Sequence, residues 1–409
     1  MKKIIMITVV TIISLVLLST PFDYTYTNTN PALSKSKTRS IMNVGVNADL
    51  QMYQSFVKTL DIFTTDPLII DLNDIYTDLD GSDAYVGLSN NDQIFTSLNL
   101  WLVEPAISLE MDNKVRLTIP NEMIEFLAVG YTIEEELTGQ GNVYLKSKIE
   151  ASSYLPIDLF GHTWGIEVSK FLPVLNTDTT FDFAVNSNID EASIDVNASI
   201  NAPLYSFLSY EEINNLGSID INSITNSLLN NSSGWNLSFG AVKYDGKKPK
   251  YGVSLNNLSI IPAKVNEYQA TLDASVAAEN IFFSEEEEPF SFNLEDLSYA
   301  QVGELQEVKD VASLSGFFNF RYLLDWYPYL EYSFDNNFSI GTYAKGNLFF
   351  IPYWLNFGYD QSYYNLKLGT GINLYLAEIT AEIGTYSPNI SKLFDLKVIS
   401  AKINLAVGF

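Results

Sequence analysis

From Val398 to Phe409 the chain alternates. Ile399, Ala401, Ile403, Leu405, Val407 and Phe409 take every second position, and Ser400, Lys402, Asn404, Ala406 and Gly408 take the rest. Successive side chains of a strand point to opposite faces, so this is one strand with an apolar face and a face of polar or small residues. The period recurs upstream. In 191–200, Ala192, Ile194, Val196, Ala198 and Ile200 oppose Ser193, Asp195, Asn197 and Ser199; in 266–277, Tyr268, Ala270, Leu272, Ala274 and Val276 oppose Gln269, Thr271, Asp273 and Ser275. Further strands are predicted over 376–386, 363–374, 348–359, 338–346, 327–334, 312–321, 250–258, 235–244, 180–186, 163–172, 141–150, 126–133, 114–120 and 94–110. Turn residues separate many of them: Asp335-Asn336-Asn337, Gly346-Asn347, Asp360-Gln361-Ser362 and the hairpin signal Asp245-Gly246-Lys247-Lys248-Pro249. Between Leu374 and Ile379 no such residue occurs, but the parity of the apolar positions changes, which predicts a tight turn or bulge around Tyr375 to Glu378.

The predicted fold is therefore all-β, an antiparallel transmembrane β-barrel of about 14–18 strands, because closure removes the sheet edge and lipid accepts the apolar face. The N-terminus predicts export. Lys2 and Lys3 precede an apolar run from Ile4 to Leu18 and then Ser19, Thr20 and Pro21, the length and flanks of a signal peptide over 1–20. Cleavage falls after small residues without an A-x-A pattern, and an uncleaved anchor is the alternative. Residues 21–93 read as leader and N-terminal segment, a candidate lumenal plug. Within them 22–40 are Thr-, Asn- and Ser-rich, and the acidic stretch 50–93 has helical character around Tyr53 to Phe63. The barrel is placed at 94–409, with 203–233 as an insertion, plug or long loop.

The chain's 409 residues are 47% hydrophobic and 18% charged, with a mean hydropathy of +0.06, too modest for a bundle of membrane helices. Tyr and Phe number 25 each, enough for aromatic girdles at two membrane interfaces, although a soluble β-sandwich core also uses them. There is no cysteine, which excludes disulfides, thiol catalysis and N-terminal lipid attachment. The net charge of −26 argues against nucleic acid as a partner.

The C-terminal alternation closing on Phe409 resembles the signature of bacterial outer-membrane β-barrel proteins. That resemblance implies an outer-membrane location, lipid and the barrel assembly machinery as partners, and an insertion signal in Phe409, Val407, Leu405 and Ile403. It also puts Phe409 on the periplasmic side, with the segment from Ser284 to Asp310 outside. More finely, Gly234-Trp235-Asn236-Leu237-Ser238-Phe239-Gly240 and Tyr251-Gly252-Val253-Ser254-Leu255-Asn256-Asn257-Leu258 resemble paired strands of the FadL/PorV-like outer-membrane family. Ser259 stands where that family has glycine, and its N-terminal glycine-rich motif is reduced to Val44-Gly45-Val46. This resemblance implies a barrel of about 14 strands with an N-terminal segment entering the lumen, which handles hydrophobic solutes or carries surface proteins.

Candidate chemistry is sparse. The one histidine, His162, opens a strand without a G-x-S-x-G motif, and no His/Cys set could hold zinc, so neither an enzyme nor a cofactor is expected. Glu285, Glu286, Glu287 and Glu288 are read as a solvated loop, with divalent-cation binding and contact to surface polysaccharide as the sharper alternative. Lumen-facing candidates are Asp195, Asn197, Asp273, Lys402 and Asn404, joined by Ser400 and Gln269. Three functional readings stay open: a porin-like or FadL-like passive channel for small or hydrophobic solutes, a non-conducting structural or docking barrel, and a secreted β-sandwich adhesin.

Overall fold

The computed structural model describes residues 30–34, 41–55, 72–100, 103–129, 137–188, 193–213, 221–229, 232–246, 248–278, 290–294, 298–303, 305–360, 363–374, 377–395 and 397–408. Its strands are β1 (Met42–Gln54), β2 (Ala84–Leu98), β3 (Ala106–Ile119), β4 (Leu137–Leu159), β5 (His162–Asn188), β6 (Ser193–Ser206), β7 (Gly234–Asp245), β8 (Lys248–Ile261), β9 (Ala263–Ala278), β10 (Phe290–Leu294), β11 (Ser298–Gln301), β12 (Gln306–Val308), β13 (Ser313–Phe318), β14 (Phe320–Tyr322), β15 (Leu324–Ser333), β16 (Phe338–Leu348), β17 (Ile351–Asp360), β18 (Tyr363–Asn373), β19 (Ala377–Ser387) and β20 (Val398–Gly408). Among the described residues four α-helices join them: α1 (Leu72–Leu79), α2 (Asn121–Val129), α3 (Tyr210–Ile213) and α4 (Ile221–Leu229).

Strands β1–β5, β7, β8, β13 and β15–β20 form a closed antiparallel ring of 14 strands. The seam is the pairing of β1 with β20, from Asn43 opposite Gly408 to Met52 opposite Ile399. Alternation decides the faces. On β20, Ile403, Leu405 and Val407 are exposed on the outside while Ser400, Asn404 and Ala406 are buried inside. On β1, Val46 and Leu50 point out and Asn43 points in. Around the ring the outward residues include Ile107, Leu109, Ile166, Phe239, Ile340, Leu368 and Ile383, an apolar belt a water-soluble barrel would not display.

The two rims differ. The near rim, where the ring begins and ends, has the short connections of β4 to β5, β7 to β8, β16 to β17 and β18 to β19. The far rim carries the helices. α1 and α2 pack Ile75 and Leu79 against Ile124 and Ala84, a small core of the kind water requires. Pro120 precedes α2, and the Asp83 carboxylate accepts from the Asn121 N–H at 3.0 Å, which satisfies one free donor of the first turn.

On one side the far rim rises into a panel. β5 is 27 residues long, far more than the 9–11 a tilted strand needs to cross a bilayer. Beyond Phe171 it leaves β7 and pairs with β6, which pairs with β9, and β9 carries β10, β11 and β12 on its other edge. Leu204, Leu208, Ile213, Tyr268 and Ala270 bury one another here, with α3 contributing Ile213. A lipid-facing surface would need no such cover.

Several sequence expectations are corrected. The barrel starts at Met42 rather than 94, because Met42, Val44, Val46, Ala48 and Leu50 alternate with Asn43, Gly45, Asn47 and Asp49 and pair with both β2 and β20. The stretch 94–110 is interrupted, since β2 ends at Leu98 and β3 begins at Ala106. Of the stretch 126–133, residues 126–129 are not a strand, since α2 occupies them, and 130–133 lie outside the described residues. The segments 163–172 and 180–186 are one strand, split in the sequence by Pro173 and a register shift opposite Ser147 and Lys148 that reverses the parity. The β16–β17 turn falls at Phe349-Phe350, not Gly346-Asn347. In 203–233, β6 runs on to Ser206, and α3 and α4 follow. The signal peptide and the helical character around Tyr53 to Phe63 lie outside the described residues, apart from the β1 end at 53–54 and Ser55.

Candidate functional site: the barrel lumen

Inside the ring lies a cavity of about 1060 Å³. Its wall is built from cross-strand neighbours, which share a face when directly opposed. One polar row crosses six strands, running Glu382, Lys402, Asp49, Asn91, Asp112, Lys148 from β19 through β20, β1, β2 and β3 to β4. Opposite charges are interleaved along it: Lys402 lies 3.9 Å from Asp49, and Lys367 lies 4.0 Å from Glu382. Lys148 is held between Glu150 at 2.5 Å and Asp310 at 3.0 Å, while Asn236 donates to Asp310 at 2.8 Å and Ser169 donates to Glu150. Asp310 thus turns into the lumen from the connection between β12 and β13. The expectation that the acidic segment ending there is wholly an outer loop is corrected at this residue.

The lining carries eleven carboxylates: Asp49, Glu110, Asp112, Glu150, Glu167, Asp178, Asp310, Glu331, Asp335, Asp360 and Glu382. Against them stand six cations: Lys114, Arg116, Lys146, Lys148, Lys367 and Lys402. The cations are unevenly placed. Four of the six are on β3 and β4, whereas Glu331, Asp335 and Asp360 lie on or beside β15 and β17.

Two features narrow the near-rim half. Phe317, Tyr327, Tyr343 and Trp354 form a row of rings with successive centroids 6.4, 6.4 and 6.5 Å apart, and the last three are buried. The Trp354 indole N–H donates to Glu382 at 2.5 Å. The second feature is the segment Asn30–Ser34, whose Pro31–Ser34 turn lies against the inner faces of β5 and β7. Asn30 donates to the Val253 carbonyl at 3.0 Å, and its side-chain oxygen accepts from the Ala32 N–H at 2.9 Å. Gly165 and Gly240 make the room, since a Cβ at either would overlap Ala32 or Asn30. This part of 22–40 is packed into the wall and is not a free leader.

The sequence-predicted residues distribute as follows. Lys402 and Asn404 line the cavity, and Ser400 is buried on the same face. Asp195, Asn197 and Asp273 belong to β6 and β9, in the panel above the ring; their side chains lie outside the described residues. Gln269 is also on the panel, where it donates to Asn201. Ile403, Leu405 and Val407 face outward, and Phe409 lies outside the described residues, as do Glu285, Glu286, Glu287 and Glu288. His162 sits at the near rim with Nε2 3.2 Å from the Tyr251 hydroxyl and Trp164 beside it. The lysines and arginine of β3 and β4 were missed by sequence reasoning. Their signal was available, because Asp112, Lys114 and Arg116, and Tyr144, Lys146 and Lys148, recur every second residue.

No protein-family model matches the chain, and no curated protein does. Among solved structures, similar ones are outer-membrane β-barrels. The TodX monoaromatic hydrocarbon channel (a deltaS2 mutant) is 8% identical with a TM-score of 0.41, over 93% of each chain. The toluene transporter TbuX of Ralstonia pickettii is 8% identical with a TM-score of 0.39, over 93% of this chain and 92% of that one. The translocator domain of the autotransporter NalP from Neisseria meningitidis is 7% identical with a TM-score of 0.32, over 91% and 90%. Likeness at this level identifies no solute, so a functional reading has to rest on the barrel's own surfaces.

Proposed function

We propose that this chain is a bacterial outer-membrane channel that passes small hydrophilic solutes by diffusion, inserted by the barrel assembly machinery. The observation that carries the reading is the inversion of polarity across one closed wall, with an apolar belt outside and a charged cavity of about 1060 Å³ inside. Lipid accepts the first, and water and polar solutes accept the second. Eleven carboxylates and six cations make a poor path for hydrophobic solutes, so the polar half of the channel reading is favoured over the FadL-like half. Purified protein in a planar bilayer should give discrete conductance steps. A second reading, a filled barrel that docks other envelope components, is supported by the aromatic row at Tyr327, Tyr343 and Trp354 and by the segment at Asn30–Ser34. Properly folded protein that inserts and never conducts would replace the first reading with the second.

A further inference from the structure

We propose that Lys114, Arg116 and Lys146 form a binding station in the lumen for small oxyanions carrying two or more negative charges, of the phosphate type. Lys114 on β3 and Lys146 on β4 are directly opposed partners, and both face the cavity. Like charges set directly opposite across a strand pair repel, and Asp310 and Asp112 offset part of that repulsion at Lys146 without forming an ion pair with it. The nearest carboxylate to Lys114 is Asp112 on its own strand, at 3.8 Å. Lys146 makes no ion pair or hydrogen bond among the described residues, and neither does Arg116, whose guanidinium lies 5.8 Å from the centre of the Tyr144 ring. The close contacts of the adjacent acids go to other groups: Asp310 and Glu150 hold Lys148, and Asp178 accepts from Asn142 at 2.9 Å. A chain with 49 acidic and 23 basic side chains therefore places on one patch of its lumen three cations, none of them in an ion pair shorter than 3.8 Å among the described residues. An oxyanion seated between the two ammonium groups removes the repulsion and gains charge-assisted hydrogen bonds, and Arg116 adds a planar fork suited to paired oxygens.

The inference rests on reading the cavity as a solute path, so binding is measured apart from conduction. The purified chain in detergent is titrated calorimetrically with inorganic phosphate and with glycerol phosphate, using chloride at equal ionic strength as control. Saturable binding of either phosphate, weakened about tenfold in Lys146→Gln, is expected from the loss of one charge-assisted hydrogen bond. Tighter glycerol phosphate would assign the site to a phosphorylated solute, and equal affinities would assign it to the oxyanion itself. Lys146→Met also reads the repulsion directly: alone it should melt higher than the parent, and a phosphate concentration that raises the parent's melting temperature should raise that of the variant less. Phosphate binding no better than chloride, or unchanged in Lys146→Gln, overturns the proposal even if the protein conducts. Binding without any conductance would sink the channel reading and leave the station standing.

Discussion

Asp49 on the first strand of the ring stands directly opposite Lys402 on the last, its carboxylate 3.9 Å from the ammonium group, so an ion pair bridges the seam where the barrel closes. Lys402 is also directly opposite Glu382 on β19, which places one cation between two carboxylates. Removing it leaves like charges facing across two strand boundaries. The side chains are 30% and 18% exposed to a wet lumen, so the cost is screened: Lys402→Met should lower unfolding stability by about 1 kcal/mol. Asp49→Asn should cost less in that background than in the parent. Urea titration of refolded protein, followed by the mobility difference between unheated and boiled samples, measures both arms of the cycle.

The inner-wall glycines give a second prediction. Gly240→Val should expel Asn30–Ala32 without opening the ring, because the added side chain meets Asn30 before it meets any strand. Ala32 is fully buried and the chain has no cysteine, so Ala32→Cys supplies a single silent thiol. Maleimide should label that thiol slowly in the parent background and rapidly beside Gly240→Val. Equal labelling would show that the segment is not seated on this wall.

How much of this was legible in the sequence depends on which physical signal each element carried. β20 was readable in register and face because its alternation runs unbroken from Val398 to Gly408. β1 has the same period over Met42 to Leu50, yet it reads as part of the N-terminal segment, since Thr- and Asn-rich residues precede it and an acidic stretch follows. β5 reads as two strands because Pro173 and the register shift opposite Ser147 and Lys148 move its inward set from odd to even positions. The end of α2 reads as a strand from 126 because Phe126 and Val129 are residue types that either element would bury. For the site, periodicity identified a polar face but not its neighbours. That Lys114 meets Lys146 follows from strand pairing, which joins residues 32 positions apart.

The outer belt has one conspicuous break. Asn90, Asp92 and Asn113 lie on the outward faces of β2 and β3, between Ile94 and Leu109 on one side and Leu88 and Val115 on the other. They bond one another, Asn113 donating to Asn90 at 2.8 Å and Asn90 to Asp92 at 2.7 Å. A carboxylate facing lipid is unfavourable to a degree set by its depth, so Asp92→Leu should stabilise the barrel in lipid vesicles by about 1 kcal/mol. Leu405→Asp, which puts a charge on the outward face of β20, should do the reverse and lower the yield of folded protein. Denaturant midpoints in vesicles test the pair, and the same sign for both would contradict the assignment of faces.

The last prediction concerns which ions pass. The cavity wall carries eleven carboxylates against six cations, and low-dielectric walls focus the field of such an imbalance along the axis. Cations should therefore be preferred to anions, with the basic patch on β3 and β4 a local exception. The preference should trace to Glu331 and Asp360, which accept from Ser313 and Ser339 and have no ion pair among the described residues. In Glu331→Gln with Asp360→Asn the reversal potential under a salt gradient should move toward zero, whereas Lys114→Gln with Lys146→Gln should move it the other way. Raising the salt from 0.1 M to 1 M shortens the screening length from about 10 Å to about 3 Å and should weaken the parent's selectivity toward that of the carboxylate variant. An anion preference in the parent at low salt would mean that the basic patch, and not the net charge of the wall, controls entry.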